Sequence, residues 1–194
     1  MPKETSLSHN CVLLAFAGLG PIVIKEVSHH DIKKTQILKL PHHDLVLCSV
    51  KASQIPKLAT LKSVEDIFYL LGPEQRLERD NWRTKISSLV NQPSILQGLQ
   101  LKNQAFAGAK PRTPTYNCFV KQDRDRSIYR HQIADHVNKQ IKKHFRKWRL
   151  TDPATVELWG FYIDHQFYLG LRLSSHALRY RGKEPVLRTG TLRP

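Results

Sequence analysis

The basic residues between positions 139 and 149 have the types and spacing that suit the binding of a polyanion. Lysine and arginine side chains donate charge-assisted hydrogen bonds to phosphate oxygens. Asp135 is the only acidic residue between Arg130 and Arg149, so little in the segment balances its positive charge. The cations of this segment are Lys139, Lys142, Lys143, Arg146, Lys147 and Arg149.

A single helix is expected to hold these cations on one side. Apolar residues recur at steps of four, four, four and three, the spacing of one stripe of a helix with 3.6 residues per turn. The stripe consists of Ile133, Val137, Ile141, Phe145 and Trp148. The pattern predicts a helix with this stripe buried and the cations on the opposite arc.

Such a cationic face can also be only the solvated side of a surface helix. Solvated faces usually mix signs, because like charges one turn apart repel and opposite charges attract by about 0.2–0.5 kcal/mol per pair. The six cations lack acidic partners, so this face is not stabilised by opposite charges. The pattern therefore favours contact with a polyanion.

Other basic residues are also candidate phosphate contacts. Lys110 and Arg112 lie in a stretch with two prolines, AFAGAKPRTPT, that predicts a loop. Arg124 and Arg126 belong to a charged turn, and Arg130 follows shortly after it. A last group surrounds a glycine near the end of the sequence and consists of Arg179, Arg181, Gly182 and Lys183.

The composition indicates a globular chain with an acidic partner. Its 194 residues are 40% hydrophobic, and the net charge of +15 points to nucleic acid or an acidic membrane surface. No apolar run reaches the roughly 20 residues of a membrane span. Cys11, Cys48 and Cys118 lie in strand-like runs, which predicts reduced, buried thiols and a cytoplasmic location.

Signals for catalysis or metal binding are weak. The adjacent histidines at 29–30 and 42–43 would point to opposite faces of a strand, and no cysteine or carboxylate stands at metal-ligand spacing from them. The turn Gly18-Leu-Gly20 lacks the third glycine of a dinucleotide fingerprint and the Lys-Ser/Thr of a P-loop. We therefore predict no catalytic residue and no metal site.

The charge changes abruptly near residue 72. Residues 1–72 hold 8 Lys, no Arg and 6 acids (+2), whereas residues 73–194 hold 23 Lys plus Arg and 10 acids (+13). The first part predicts strand, helix, strand, strand, helix, strand, the order of a ferredoxin-like domain. The predicted strands are 11–16, 35–40, 45–50 and 64–71, with helices at 21–29, where Ile22, Ile24 and Val27 would face inward, and at 53–61.

The second part predicts further helices, a strand and a β-hairpin. Ser94 would cap the second helix, and alternating residues of the last strand, from Phe167 to Leu173, would face one apolar core. The predicted segments are helices 74–90 and 95–101, strand 117–121, the basic helix, and strands 155–163 and 167–173. The fold class is therefore α+β.

The order of these features resembles the THUMP domain, the RNA-binding module of tRNA- and rRNA-modifying enzymes. The features are a strand with FVK, a helix with IxxxVxxxI, the string LxDP, a strand pair ending in LGLRLS, and LRYRG. With the ferredoxin-like unit, the chain is similar to the N-terminal half of THUMP-containing RNA guanine-N2 methyltransferases. Lys183-Glu-Pro departs from the aromatic and arginine that usually follow the family's Arg-Gly, here Arg181-Gly182.

The resemblance implies a ferredoxin-like domain at 1–72, a THUMP domain at 73–183 and a linker at 184–194. It implies that the basic residues named above contact structured RNA, either a tRNA acceptor end or rRNA. The family's S-adenosylmethionine loop and Pro-Pro-aromatic motif are absent, so we expect a non-catalytic chain whose methyltransferase domain lies elsewhere in the same protein.

Two other functions fit the sequence. One is a free-standing adaptor that presents tRNA to a separate enzyme. The other is a small basic enzyme acting on phosphate esters, which would need carboxylates or histidines converging around a cleft.

Overall fold

The structure, a computed structural model, describes residues 8–106, 113–123 and 127–174. Within these ranges it is an α+β protein with five α-helices and one nine-stranded, mostly antiparallel sheet. None of the described helices is long and apolar enough to cross a membrane. The expected α+β class is confirmed.

The first half follows the element order expected from the sequence. Its strands are β1 (Ser8–Phe16), β2 (Lys33–Leu40), β3 (His43–Lys51) and β4 (Asp66–Leu70), and its helices are α1 (Gly20–Ser28) and α2 (Ile55–Leu58), the latter preceded by a 3-10 turn. The strands lie in the order β2-β3-β1-β4, and every pair is antiparallel. In α1 the inward residues are Val23 and Val27, whereas Ile22 is 48% exposed.

The second half extends the same sheet. Its elements are β5 (Gln75–Arg76), α3 (Trp82–Leu89), α4 (Gln92–Ala105), β6 (Thr115–Gln122), α5 (Arg130–His144), β7 (Arg149–Leu150), β8 (Val156–Ile163) and β9 (Gln166–Arg172). β9 pairs with β4, and the order continues as β9-β8-β6-β7, with β6 parallel to both β7 and β8. The sheet is thus continuous across residue 72, and the domain limits drawn from the charge step stay a prediction.

The predicted helix over 74–90 is wrong in its first half. β5 pairs with β9 beyond the point where β4 ends, and the Leu77 N–H donates to the His165 carbonyl. These bonds occupy the open edge of β9 and hold residues 75–77 extended. The helix therefore begins only at Trp82.

The cap of the next helix also differs from expectation. Asn91 is the N-cap of α4, and its side-chain oxygen accepts a hydrogen bond from the Ser94 N–H at 2.9 Å. Ser94 therefore supplies the N–H group that is capped. The helix starts three residues earlier than predicted, with Pro93 in its first turn.

Both faces of the sheet are buried, although the helices pack on one face only. The buried apolar side chains of all five helices belong to one large cluster. Val12, Leu14, Phe68 and Phe161 lie on the other face and are 0% exposed. β2 approaches β8 although four strands separate them in the sheet. The sheet therefore curls around its second face and buries it without a helix.

A buried group of charges joins the two halves on that second face. Arg172 of β9 donates to Asp66 of β4 at 2.8 Å and to Glu157 of β8 at 2.9 Å. Ser174 Oγ donates to Asp66 at 3.0 Å and accepts from the Ile67 N–H at 3.1 Å. The charged side chains are 10% exposed or less, so each depends on its partner for compensation.

Candidate nucleic-acid interface

Helix α5 packs on the sheet through the stripe that the sequence predicts. Ile133, Val137 and Ile141 are 0% exposed, and each step of four residues returns the side chain to the same face. Lys139 and Lys143 are exposed, which agrees with their predicted position away from the core.

The helix ends earlier than predicted. It stops at His144, and the Phe145 N–H makes the last bond of the helix, to Ile141 O at 2.8 Å. Phe145 and Trp148 remain 8% exposed, with ring centroids 4.1 Å apart in a stacked arrangement. Arg146 and Lys147 therefore lie in the turn between two buried aromatic residues, exposed but beyond the helix.

Lys142 has a local structural role. Its ammonium donates to the carbonyl of Arg146 at 2.9 Å and to that of Trp148 at 3.1 Å. Both carbonyls belong to the turn after α5, where a cation also interacts favourably with the negative end of the helix dipole. Two of its three N–H groups are thereby used, so we assign Lys142 to the turn.

Helix α3 brings a cation that the sequence does not predict. Arg83 lies with its guanidinium carbon 4.4 Å from the centre of the Trp82 ring, and α3 packs beside α5. Its charge acts on His136, as do those of Lys139 and Lys143. Arg83 is 56 residues before Lys139, so only the packing of the helices shows that they share a surface.

His136 lies near these three cations. Its Nε2 is 3.0 Å from Arg83 O and from Ser87 Oγ, and its ring meets the Trp82 ring edge-on at 5.4 Å. Burial lowers the pKa of His136 from 6.5, and the charges of Arg83, Lys143 and Lys139 lower it further, against the opposing effect of the Arg83 carbonyl.

The surface between the two helices is a groove of about 160 Å³. Asp135 is its only acidic lining residue, and within the described part of the chain no ion pair involves Lys139, Lys143 or Arg83. We call it the α3–α5 groove. It is lined by Trp82, Arg83, Gln132, Asp135, His136 and Lys139.

Arg130 lies at the opposite end of α5 from Arg146 and Lys147. Fifteen helical residues at 1.5 Å each place the two ends about 20 Å apart. Arg130 adjoins Tyr129, which is 55% exposed and stacks on His131 with centroids 5.7 Å apart. The predicted cations therefore lie in three places: Arg130 at the start of α5, Lys139 and Lys143 along it, and Arg146 and Lys147 after its end.

Eight predicted RNA contacts lie outside the described residues. These are Lys110, Arg112, Arg124, Arg126, Arg179, Arg181, Gly182 and Lys183. Among the residues that are described, no group of three or more His, Cys, Asp or Glu side chains could hold a metal ion.

No protein-family model matches the chain, and no curated protein matches it. Solved structures do. TrmN from Thermus thermophilus aligns over 89% of this chain with a TM-score of 0.66 at 8% sequence identity. A predicted N6-adenine-specific DNA methylase from Listeria monocytogenes aligns over 86% with a TM-score of 0.60 at 15% identity.

A 4-thiouridine synthetase in a complex with RNA and bound ATP aligns over 86% of the chain, with a TM-score of 0.52 at 9% identity. The likeness is one of fold. The chain spans 48%, 40% and 42% of the TrmN, methylase and synthetase chains respectively, so it corresponds to less than half of each.

Proposed function

We propose that this chain is the RNA-binding part of an RNA-modifying enzyme, with a THUMP-type domain that holds structured RNA for a methyltransferase domain. The fold likeness to TrmN, to a methylase and to a synthetase bound to RNA supports this proposal. The RNA is a tRNA, held near its acceptor end, or an rRNA. S-adenosylmethionine belongs to the catalytic domain in cis, and this chain is not itself catalytic.

The observation that carries the proposal is the cationic surface on α3 and α5. Arg83, Lys139 and Lys143 come from two helices, are exposed, and form no ion pair within the described residues. Arg146 and Lys147 add charge at the end of α5. Uncompensated cations on helices fixed by a buried core form a preorganised surface for RNA phosphates.

The fold supports the finer assignment. The antiparallel order β2-β3-β1-β4, with helices between β1 and β2 and between β3 and β4, is what a ferredoxin-like βαββαβ domain requires. We propose this domain for residues 1–72, the THUMP domain for 73–183, and a linker for 184–194.

The first prediction tests the RNA contact. Replacing Lys139, Lys143 and Lys147 by Gln removes three phosphate contacts, and each contributes about 0.7 to 0.9 to the slope of log affinity against log salt. We expect the slope for a tRNA transcript to fall by about 2 to 3, measured by fluorescence anisotropy at several salt concentrations.

The matched control replaces Lys25, Lys57 and Lys62, which are exposed in the first half. It changes the net charge equally and should alter the slope much less. An unchanged slope in the α5 variant would mean that this face is only solvated and would contradict the proposal.

A further inference from the structure

Among the described residues, the two ring nitrogens of His136 differ in their contacts. A carbonyl oxygen only accepts hydrogen bonds, so a bond from the ring to Arg83 O at 3.0 Å requires the ring proton on Nε2. Ser87 Oγ and the side-chain amide of Gln140 lie 3.0 Å and 3.4 Å from the same nitrogen. Within the described residues no hydrogen bond involves Nδ1. The neutral ring can therefore take up a second proton at Nδ1 without breaking the bond that holds it.

The charges around His136 oppose that proton in the free protein. Arg83 acts from α3, and Lys139 and Lys143 act from α5, while among the described residues Asp135 is the only acid that lines the same groove. A phosphate bound near these cations would offset part of their positive potential, which favours the charged imidazole.

The α3–α5 groove suits a phosphate group. Its volume of about 160 Å³ leaves room for several waters, so a phosphate group can enter it. Arg83 is held against the Trp82 ring, so little side-chain freedom is lost when its planar guanidinium meets phosphate oxygens.

We propose that the α3–α5 groove binds one backbone phosphate of the RNA through Arg83 and Lys139, with Lys143 adding positive charge nearby, and that His136 gains a proton as the phosphate binds. This inference rests on the proposed RNA-binding function. Its consequence is that RNA binding is linked to proton uptake, so the affinity depends on pH.

The sign of this dependence follows from linkage. The pKa of His136 in the free protein lies below 6.5, and the phosphate raises it in the complex. Protons are taken up on binding between these two values. The affinity therefore rises as pH falls through the higher value and levels off below the lower one.

The test measures the affinity of the full chain for an unmodified tRNA transcript from pH 5.5 to 8 at constant ionic strength. We expect log affinity to rise by up to one unit per pH unit in the linked window. His136→Gln should remove this dependence, and Arg83→Gln should weaken binding about tenfold. His29→Gln, at an exposed position on the first half, is the control and should keep the parental profile.

Side-chain NMR gives a readout that does not depend on the variants folding. The His136 ring signals of the parental protein should titrate at higher pH with RNA than without it. An unchanged His136 titration, with parental affinity in Arg83→Gln, would overturn the inference while leaving the proposed function intact. Absence of any tRNA binding at low salt would overturn both.

Discussion

Arg172 has two carboxylates as partners in the interior of the protein. Replacing it by Met removes the cation that both Asp66 and Glu157 contact. Because breaking a buried ion pair typically costs about 3 to 5 kcal/mol, we expect the free energy of unfolding to fall by that amount. Urea unfolding checks this.

Arg149→Met, at an exposed position, serves as the control and should change stability by less than about 0.5 kcal/mol. Parental stability of Arg172→Met would mean that water reaches these carboxylates in solution.

The buried His9 and the half-buried His136 should affect the stability of the protein toward acid. Burial lowers the pKa of both His9 and His136 from 6.5 in the folded chain. Below pH 6.5 these two histidines therefore bind more protons in the unfolded chain than in the folded one. The stability of the protein decreases as pH is lowered, until pH is below the folded-state pKa of both histidines.

We expect the free energy of unfolding to decrease between pH 7 and pH 5, and His136→Gln to show a smaller decrease than the parental protein. Thermal unfolding in buffers of matched ionic strength measures both. An equal decrease in the two proteins would mean that His136 does not contribute to the loss of stability in acid.

Sequence patterns identify what a helix buries better than where it ends. The stripe of α5 is predicted from Ile133 to Trp148, and all five of its residues are buried. Phe145 and Trp148 lie in the turn after the helix, where their stacked rings are buried. Their spacing of three residues therefore fits the helical pattern although neither residue is helical. Lys142 donates to carbonyls of the turn that follows α5, and hydrophobic periodicity does not predict such contacts.

The cationic site shows the same limit. Lys139 and Lys143 are predicted from their spacing along one helix. Arg83 is not, because its place beside them depends on how α3 packs against α5, which is a contact between distant segments. The Trp82-Arg83 pair could have been noted as a possible cation–π contact, but nothing in the sequence joins it to residue 139.

Lys142 gives a prediction about the end of α5. Lys142→Met removes two hydrogen bonds to the turn carbonyls, so we expect a loss of stability of about 1 kcal/mol. Lys139→Met removes no such bond and should leave stability unchanged. In RNA binding the order should reverse, with a smaller change of salt slope for Lys142→Met than for Lys139→Met. Equal changes of salt slope in the two variants would mean that Lys142 also contacts RNA.

The whole molecule depends on the pairing of β4 with β9. A fragment of residues 73–194 would keep β5 but lose β4. The backbone groups of β9 that bond to β4 and Leu71, between Leu169 and Arg172, would then lose their partners. Exposed apolar strand edges pair with other chains. We therefore expect this fragment to self-associate, which light scattering with size-exclusion chromatography would show. A stable monomeric fragment would instead support an independent domain beginning near residue 73.

The pairing of β4 with β9 can form only late in synthesis, because about 100 residues separate the two strands. Leu70 pairs with Gly170, and a ribosome that adds about 5 to 20 residues per second needs roughly 5 to 20 s to make the intervening chain. During that interval β4 has been synthesised, but its partner β9 has not. The rate of translation over residues 71–170 should therefore influence how much of the protein reaches its folded state in the cell.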